Sequence, residues 1–167
     1  MAERYWKMMT DKKFALIYLG LHYHRNVKIE RWMDIALAVI STGSLGALFI
    51  FDEHQKILAI ILALAQIVTA ARPYLPYQYR LKEIDKGILP LNVLYNEIEK
   101  KWHCIASGDL TDSEINDLYY DFIRKWDEID AEILKKDSLP RKKMMIEKAD
   151  KEKNQYFEVM FGGCTDE

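Results

Sequence analysis

The sequence predicts an all-α protein in which a two-span transmembrane helical hairpin lies between N-terminal and C-terminal cytoplasmic amphipathic helices. Three observations predict this class. Residues that break helices are few, since the 167-residue chain holds only 7 glycines and 4 prolines. Two long uncharged runs follow each other closely within the first half of the chain. The remaining segments are rich in charge and carry apolar residues at intervals of three and four, which is the spacing of one helix face.

The N-terminal segment predicts an amphipathic helix. Thr10 is the expected N-cap of a helix that runs from Asp11 through Arg31 and continues straight into the first span. With this helix the chain divides into four segments: an N-terminal cytoplasmic helix over 1–31, the transmembrane hairpin over 32–77, a cytoplasmic helical bundle or coiled coil over 78–161, and a tail over 162–167.

Two apolar runs form the predicted hairpin. Residues 35–51 carry no charge, and residues 57–71 contain only Gln66 and Thr69 as polar groups. At about 1.5 Å per residue these runs reach about 25 and 22 Å, against a hydrocarbon core of about 30 Å. Neither run has a polar stripe, whereas a helix in a soluble bundle normally has one polar face that is exposed to solvent. The runs therefore predict two membrane spans, and a helix pair buried inside a soluble bundle is the alternative.

Basic residues flank the hairpin on its outer sides and predict its orientation. The connector 52–56 has one lysine beside two acidic residues, whereas both outer flanks are rich in lysine and arginine. Because basic residues collect on the cytoplasmic side of a membrane, both termini are expected in the cytoplasm. The flanking basic residues are Arg25, Lys28, Arg31, Arg72, Arg80, Lys82 and Lys86.

The segment after the hairpin predicts several helices. A helix is expected to run to about Lys86, before Gly87 and Pro90 interrupt it. Two apolar seams follow, over 91–105 and 115–133, and their spacing predicts an antiparallel helical pair.

The ends of these later helices carry sequence signals of their own. Gly108 ends the first seam, and Thr111 with Glu114 fits the reciprocal pattern of a capping box at the start of the second. A charge-rich helix is expected over 141–161, where low apolar content suggests ordering within an assembly.

Small and polar residues inside the spans form the candidate site. Thr42 and Gly46 lie four residues apart on one smooth face, and smooth faces let helices approach closely in lipid. Two helices cannot enclose an aqueous path, so a conducting role requires several copies of the chain. Bonding of Gln66 across one hairpin is the alternative to pore lining. The candidate pore-lining or helix-packing residues are Ser41, Thr42, Gly43, Ser44, Gly46, Gln66 and Thr69.

The sequence contains no residue pattern typical of an enzyme. It has no glycine-rich phosphate loop, no nucleophile elbow and no spaced cysteine pairs. His22 and His24 are two residues apart and so point to different sides of a helix, which suits a metal site poorly. We expect no catalytic activity, metal or cofactor. A formal net charge of -2 gives no indication of direct nucleic-acid binding.

The layout of the chain resembles the SLATT family, which comprises bacterial two-transmembrane effectors associated with SMODS nucleotidyltransferases and SLOG sensor domains. The resemblance covers the approach over 18–32, the hairpin over 35–77 and the helices that contain Trp102 and Trp126. It implies a homo-oligomeric protein of the bacterial inner membrane that contacts lipid and is triggered by a nucleotide-signalling or sensor partner. The implied activity is permeabilisation or disruption of the membrane in antiviral defence. A membrane-anchored scaffold without a pore and a soluble all-helical bundle are the alternatives.

Overall fold

The prediction of an all-α protein is confirmed, because every described element is helical. The helices are α1 (Ala2–Ile50), α2 (Gln55–Ala71), a short 3₁₀ helix (Arg72–Tyr74), α3 (Pro76–Ala106), α4 (Asp112–Ile133) and α5 (Lys143–Phe161). The computed structural model describes residues 1–50, 55–74, 76–133 and 139–162, and within them it describes only the backbone of 41–50, 55, 58, 73 and 76–80.

The chain forms two compact units. We call Met1–Tyr23 together with Glu83–Glu167 the bundle unit, and His24–Lys82 the apolar unit. The bundle unit contains the first turns of α1, most of α3, and α4 and α5. The apolar unit contains the rest of α1, α2, the 3₁₀ helix and the first turns of α3.

The first helix begins earlier than the sequence predicts. Thr10 is not an N-cap, because α1 starts at Ala2 and the Thr10 hydroxyl donates a hydrogen bond of 2.8 Å to the Lys7 carbonyl inside the helix. Tyr5 and Met9 are fully buried in the core of the bundle unit. This packing stabilises the first turns of the helix beyond what local capping signals indicate.

Apolar residues of three helices form the core of the bundle unit. The two predicted seams supply Leu91, Ile98, Phe122 and Trp126, all of them buried. The first turns of α1 cover them, and the Tyr5 hydroxyl donates a hydrogen bond of 3.0 Å to the Ile98 carbonyl. The seams therefore pack as their spacing predicts.

The predicted break at Gly87 and Pro90 is wrong, because α3 runs through both residues. Gly87 is buried against Ile133 at the end of α4, and a Cβ atom at this position would overlap the Ile133 side chain. The glycine therefore serves close helix packing rather than a turn. Pro90 removes the donor for the Lys86 carbonyl, but both residues are exposed and solvent can satisfy that carbonyl.

The turn between α3 and α4 follows the predicted local signals. Gly108 has a φ of 79°, and Asp109 donates its backbone N–H to the Cys104 carbonyl at 3.1 Å, which is the Schellman arrangement. At the start of α4 the Thr111 N–H donates to Glu114 Oε2 at 2.8 Å, and the Glu114 N–H donates to Thr111 Oγ1 at 3.4 Å. The capping box is confirmed, and its hydrogen bonds lower the pKa of Glu114.

The last helix packs on the bundle unit through aromatic contacts. The Trp6 ring lies 5.2 Å from Phe157 and 5.3 Å from Phe161, measured between ring centroids. The Tyr156 hydroxyl donates a hydrogen bond of 2.6 Å to Glu99 Oε1 on α3. Helix α5 therefore packs against α1 and α3 of its own chain, and these contacts do not depend on an assembly.

Candidate functional site

Helix α2 of the apolar unit has two different faces. Its bulky aliphatic residues recur at intervals of three and four, and therefore share one face. These side chains are exposed, with Ile60 at 61% and Ile67 at 63%. The members of this bulky face are Ile57, Ile60, Ile61, Leu64, Ile67 and Val68.

A second, narrower face of α2 is small and partly polar. Ala59, Ala63 and Ala70 lie on it together with Gln66, and all four side chains are exposed. We call these four residues the small face. The side chain of Gln66 is therefore not covered by the rest of the described chain. A helix with one bulky aliphatic face and one small face can meet two different surroundings at once.

Arg72 connects the end of α2 to the middle of α1. Its guanidinium contacts the Asp34 carboxylate and lies 3.4 Å from Glu30 Oε1. The residue that follows α2 therefore lies beside α1 at Asp34, where the apolar half of α1 begins. From its place in the sequence, Arg72 is predicted only to be one of the basic residues that flank the hairpin. The available signal is that opposite charges stand just outside the two apolar runs, Asp34 before the first and Arg72 after the second.

The structure places two of the candidate site residues on α2. Gln66 and Thr69 are both exposed, and the Thr69 hydroxyl donates a hydrogen bond of 2.8 Å to the Ala65 carbonyl of its own helix. Thr69 thus satisfies its polar group without a partner from another helix. The other candidates lie within α1, and their side chains fall outside the described part of the chain: Ser41, Thr42, Gly43, Ser44 and Gly46.

A groove of about 550 Å³ on the bundle unit, between α1 and α4, is lined by several titratable groups. Lys12 Nζ lies 4.8 Å from the centroid of the Trp126 ring and 3.8 Å from Asp127 Oδ1. Burial lowers the pKa of Lys12 and raises that of Asp130. Since Lys12 faces an acidic neighbour and an aromatic ring, we interpret this region as packing rather than as a reactive site.

Two further observations concern the described residues alone. No group of three histidine, cysteine or acidic side chains among them could hold a metal ion. In the same part of the chain, no helix combines the length and the apolar character that crossing a membrane requires.

Comparisons with known proteins give no match. No family model, no curated protein and no solved structure matches this chain. The two faces of α2 and the ion pairs of Arg72 are therefore the basis for a functional proposal.

Proposed function

We propose that this chain is a membrane effector: the apolar unit inserts into the bacterial inner membrane, copies of the chain associate there, and the assembly permeabilises the membrane when a partner triggers it. The observation that carries this proposal is the two-faced surface of α2, whose bulky face and small face are both exposed in the single chain. The bulky face suits lipid, and the small face suits a second copy of the chain.

The free energy of apolar burial favours insertion over exposure to water. Burying a valine, leucine or isoleucine side chain contributes about 1.5–3 kcal/mol, so each half-exposed residue of the bulky face would gain about 1 kcal/mol in lipid. The length of α2 opposes insertion, because its 17 residues rise only about 25 Å. Thinning the bilayer by about 5 Å costs fractions of a kcal/mol per Å. Six aliphatic side chains outweigh that cost.

Association of copies follows from the small face. The amide of Gln66 is costly in hydrocarbon unless it finds a partner or water. Alanines around it would let a neighbouring helix approach closely enough to bond that amide. An aqueous path then requires several copies, with Gln66 turned toward it.

The resemblance to the SLATT family implies that a partner protein triggers the assembly. A partner of the nucleotide-signalling or sensor type would act on the bundle unit in the cytoplasm, and the basic flanks favour placing both termini there.

A membrane-anchored scaffold without a pore is the second candidate, and Thr69 favours it. Because the hydroxyl of Thr69 already donates a hydrogen bond to the Ala65 carbonyl, Thr69 needs no further partner in lipid. Within 57–71, Gln66 would then be the one polar residue that needs a partner. A single amide in each copy suits a packing contact between helices as well as it suits a pore.

Replacement of Gln66 by leucine tests the proposal. The full chain, expressed in bacteria, should stay with membranes after a carbonate wash and cause dye entry. Gln66→Leu should remain in the membrane at equal level but lose most of the dye entry, because the path would dewet. Gln155→Leu, at an exposed position of α5, is the matched control and should leak like the wild type.

Three results would contradict parts of this proposal. Release of the wild-type chain by the carbonate wash would contradict its insertion into the membrane. Unchanged leak in Gln66→Leu would remove Gln66 from the path, and a wild type that stays in the membrane without any leak would favour the scaffold.

Cysteine labelling tests the orientation. In a Cys104→Ser, Cys164→Ser background, Gln55→Cys should react with an impermeant reagent in intact cells, whereas Asn154→Cys should not. Labelling of Asn154→Cys without lysis would overturn the cytoplasmic placement of the bundle unit.

A further inference from the structure

One face of α1 changes in character along the apolar unit. Arg25, Lys28, Trp32, Ile35 and Val39 follow one another at intervals of three and four, so they share a helix face. Trp32 is 70% exposed and Val39 64%. The face is thus cationic, then aromatic, then aliphatic. We call it the graded face.

The spacing of these residues matches the profile of a lipid surface. At about 1.5 Å per residue, Lys28 lies about 6 Å to one side of Trp32, and Val39 lies about 10 Å to the other. Aromatic rings of tryptophan and tyrosine favour headgroup depth, with aliphatic residues inside and basic residues outside. The graded face has this order.

The end of α2 supplies a second marker of the same level. Arg72 contacts Asp34, which is two residues beyond Trp32 on α1. Tyr74, two residues after Arg72, is 87% exposed. Two aromatic side chains from different helices therefore lie near one level of the apolar unit.

Charge complementarity identifies the kind of lipid. The nearest acidic side chains along α1, Glu30 and Asp34, contact Arg72. Arg25 and Lys28 stand at the cationic end of the graded face. We propose that the graded face binds anionic phospholipid headgroups, with Trp32 at headgroup depth and Arg25 and Lys28 paired with lipid phosphates. This inference rests on the proposed insertion of the apolar unit, and the aliphatic continuation of the face favours lipid over a free anion.

Quenching of Trp32 fluorescence by brominated lipids tests both depth and lipid charge. The full chain would be reconstituted in vesicles of phosphatidylcholine and phosphatidylglycerol, and the Trp32 signal taken as the difference between wild type and Trp32→Phe. Bromine near the headgroup should quench Trp32 at least twofold more than bromine near the bilayer centre. Each basic residue near the surface strengthens association with anionic lipid by about fivefold. Brominated phosphatidylglycerol should therefore quench several-fold more than brominated phosphatidylcholine at equal mole fraction.

Two charge variants complete the test. In Arg25→Gln, Lys28→Gln the preference for phosphatidylglycerol should fall to about onefold while the depth profile stays the same. Lys100→Gln, Lys101→Gln changes the net charge equally on exposed positions of the bundle unit and should keep the preference.

The outcomes separate this inference from the proposed function. Equal quenching by the two brominated lipids in the wild type would overturn anionic lipid binding and leave insertion standing. Stronger quenching by deep bromine would overturn the depth of Trp32. Absence of quenching by every brominated lipid would overturn insertion itself, and the graded face with it.

Discussion

Replacing Gly87 by alanine adds one methyl group at the point where α3 meets the end of α4. An ideal Cβ at this position overlaps Cγ1 and Cδ1 of Ile133. Overpacking of this kind costs about 1–3 kcal/mol. Alanine in place of glycine inside a helix returns about 0.5–1 kcal/mol. We therefore expect Gly87→Ala to lower the free energy of unfolding by about 1 kcal/mol, within a range of about 0–2.5 kcal/mol.

Two companion variants separate the clash from the helix propensity. Gly20 lies in α1 with no atom within 4 Å of the position that an added methyl group would take, so Gly20→Ala should stabilise the chain by about 0.5–1 kcal/mol. Ile133→Ala alone should cost about 2–5 kcal/mol, because it removes a buried side chain. In that background Gly87→Ala should turn from destabilising to stabilising, since the overlapping atoms are gone.

Urea unfolding of the full chain in mild detergent, followed by far-ultraviolet circular dichroism, measures these differences as shifts of the transition midpoint at constant slope. The close approach of α3 and α4 at this glycine would be refuted if Gly87→Ala were as stable as Gly20→Ala. It would also be refuted if the effect of Gly87→Ala on stability were the same with and without Ile133→Ala.

Three further predictions concern the bundle unit. Because the Thr111 N–H lowers the pKa of Glu114 from its usual value, the ionised cap should stabilise the chain above the ordinary pKa of glutamate. This contribution should be lost as the pH falls through the lowered pKa, so the difference in urea midpoint between wild type and Glu114→Gln should vanish in acid. Tyr5→Phe removes the buried hydrogen bond to the Ile98 carbonyl and should cost about 1 kcal/mol in the same assay, and no change would contradict that bond. Trp6→Ala removes the aromatic contacts to α5 and should cost about 3 kcal/mol and speed trypsin cleavage within α5, whereas Trp32→Ala should leave that cleavage unchanged.

Local signals in the sequence predict local structure well here. The capping box at Thr111 and the left-handed Gly108 each depend on residues within one turn, and both stand in the structure as the sequence indicates. Thr10 and Gly87 mislead for the opposite reason. Burial of Tyr5 and the close approach of Ile133 decide their roles, and those contacts come from distant parts of the chain.

The candidate site shows the same division. The two faces of α2 follow from helical periodicity, so the sequence places Gln66 among alanines correctly. The contact of Arg72 with Asp34 does not follow from periodicity, because the two residues are separated by all of α2 and the apolar half of α1.

The contact between Trp6 and Trp102 has an optical consequence. Their ring centroids lie 4.8 Å apart with the planes inclined at 51°. Two indoles at this distance and tilt couple their electronic transitions, which gives a paired positive and negative signal in ultraviolet circular dichroism. The same Trp6 ring touches Phe157 and Phe161 of α5. The bundle unit therefore carries a built-in spectroscopic reporter, through which a displacement of its last helix could be followed in the unlabelled protein.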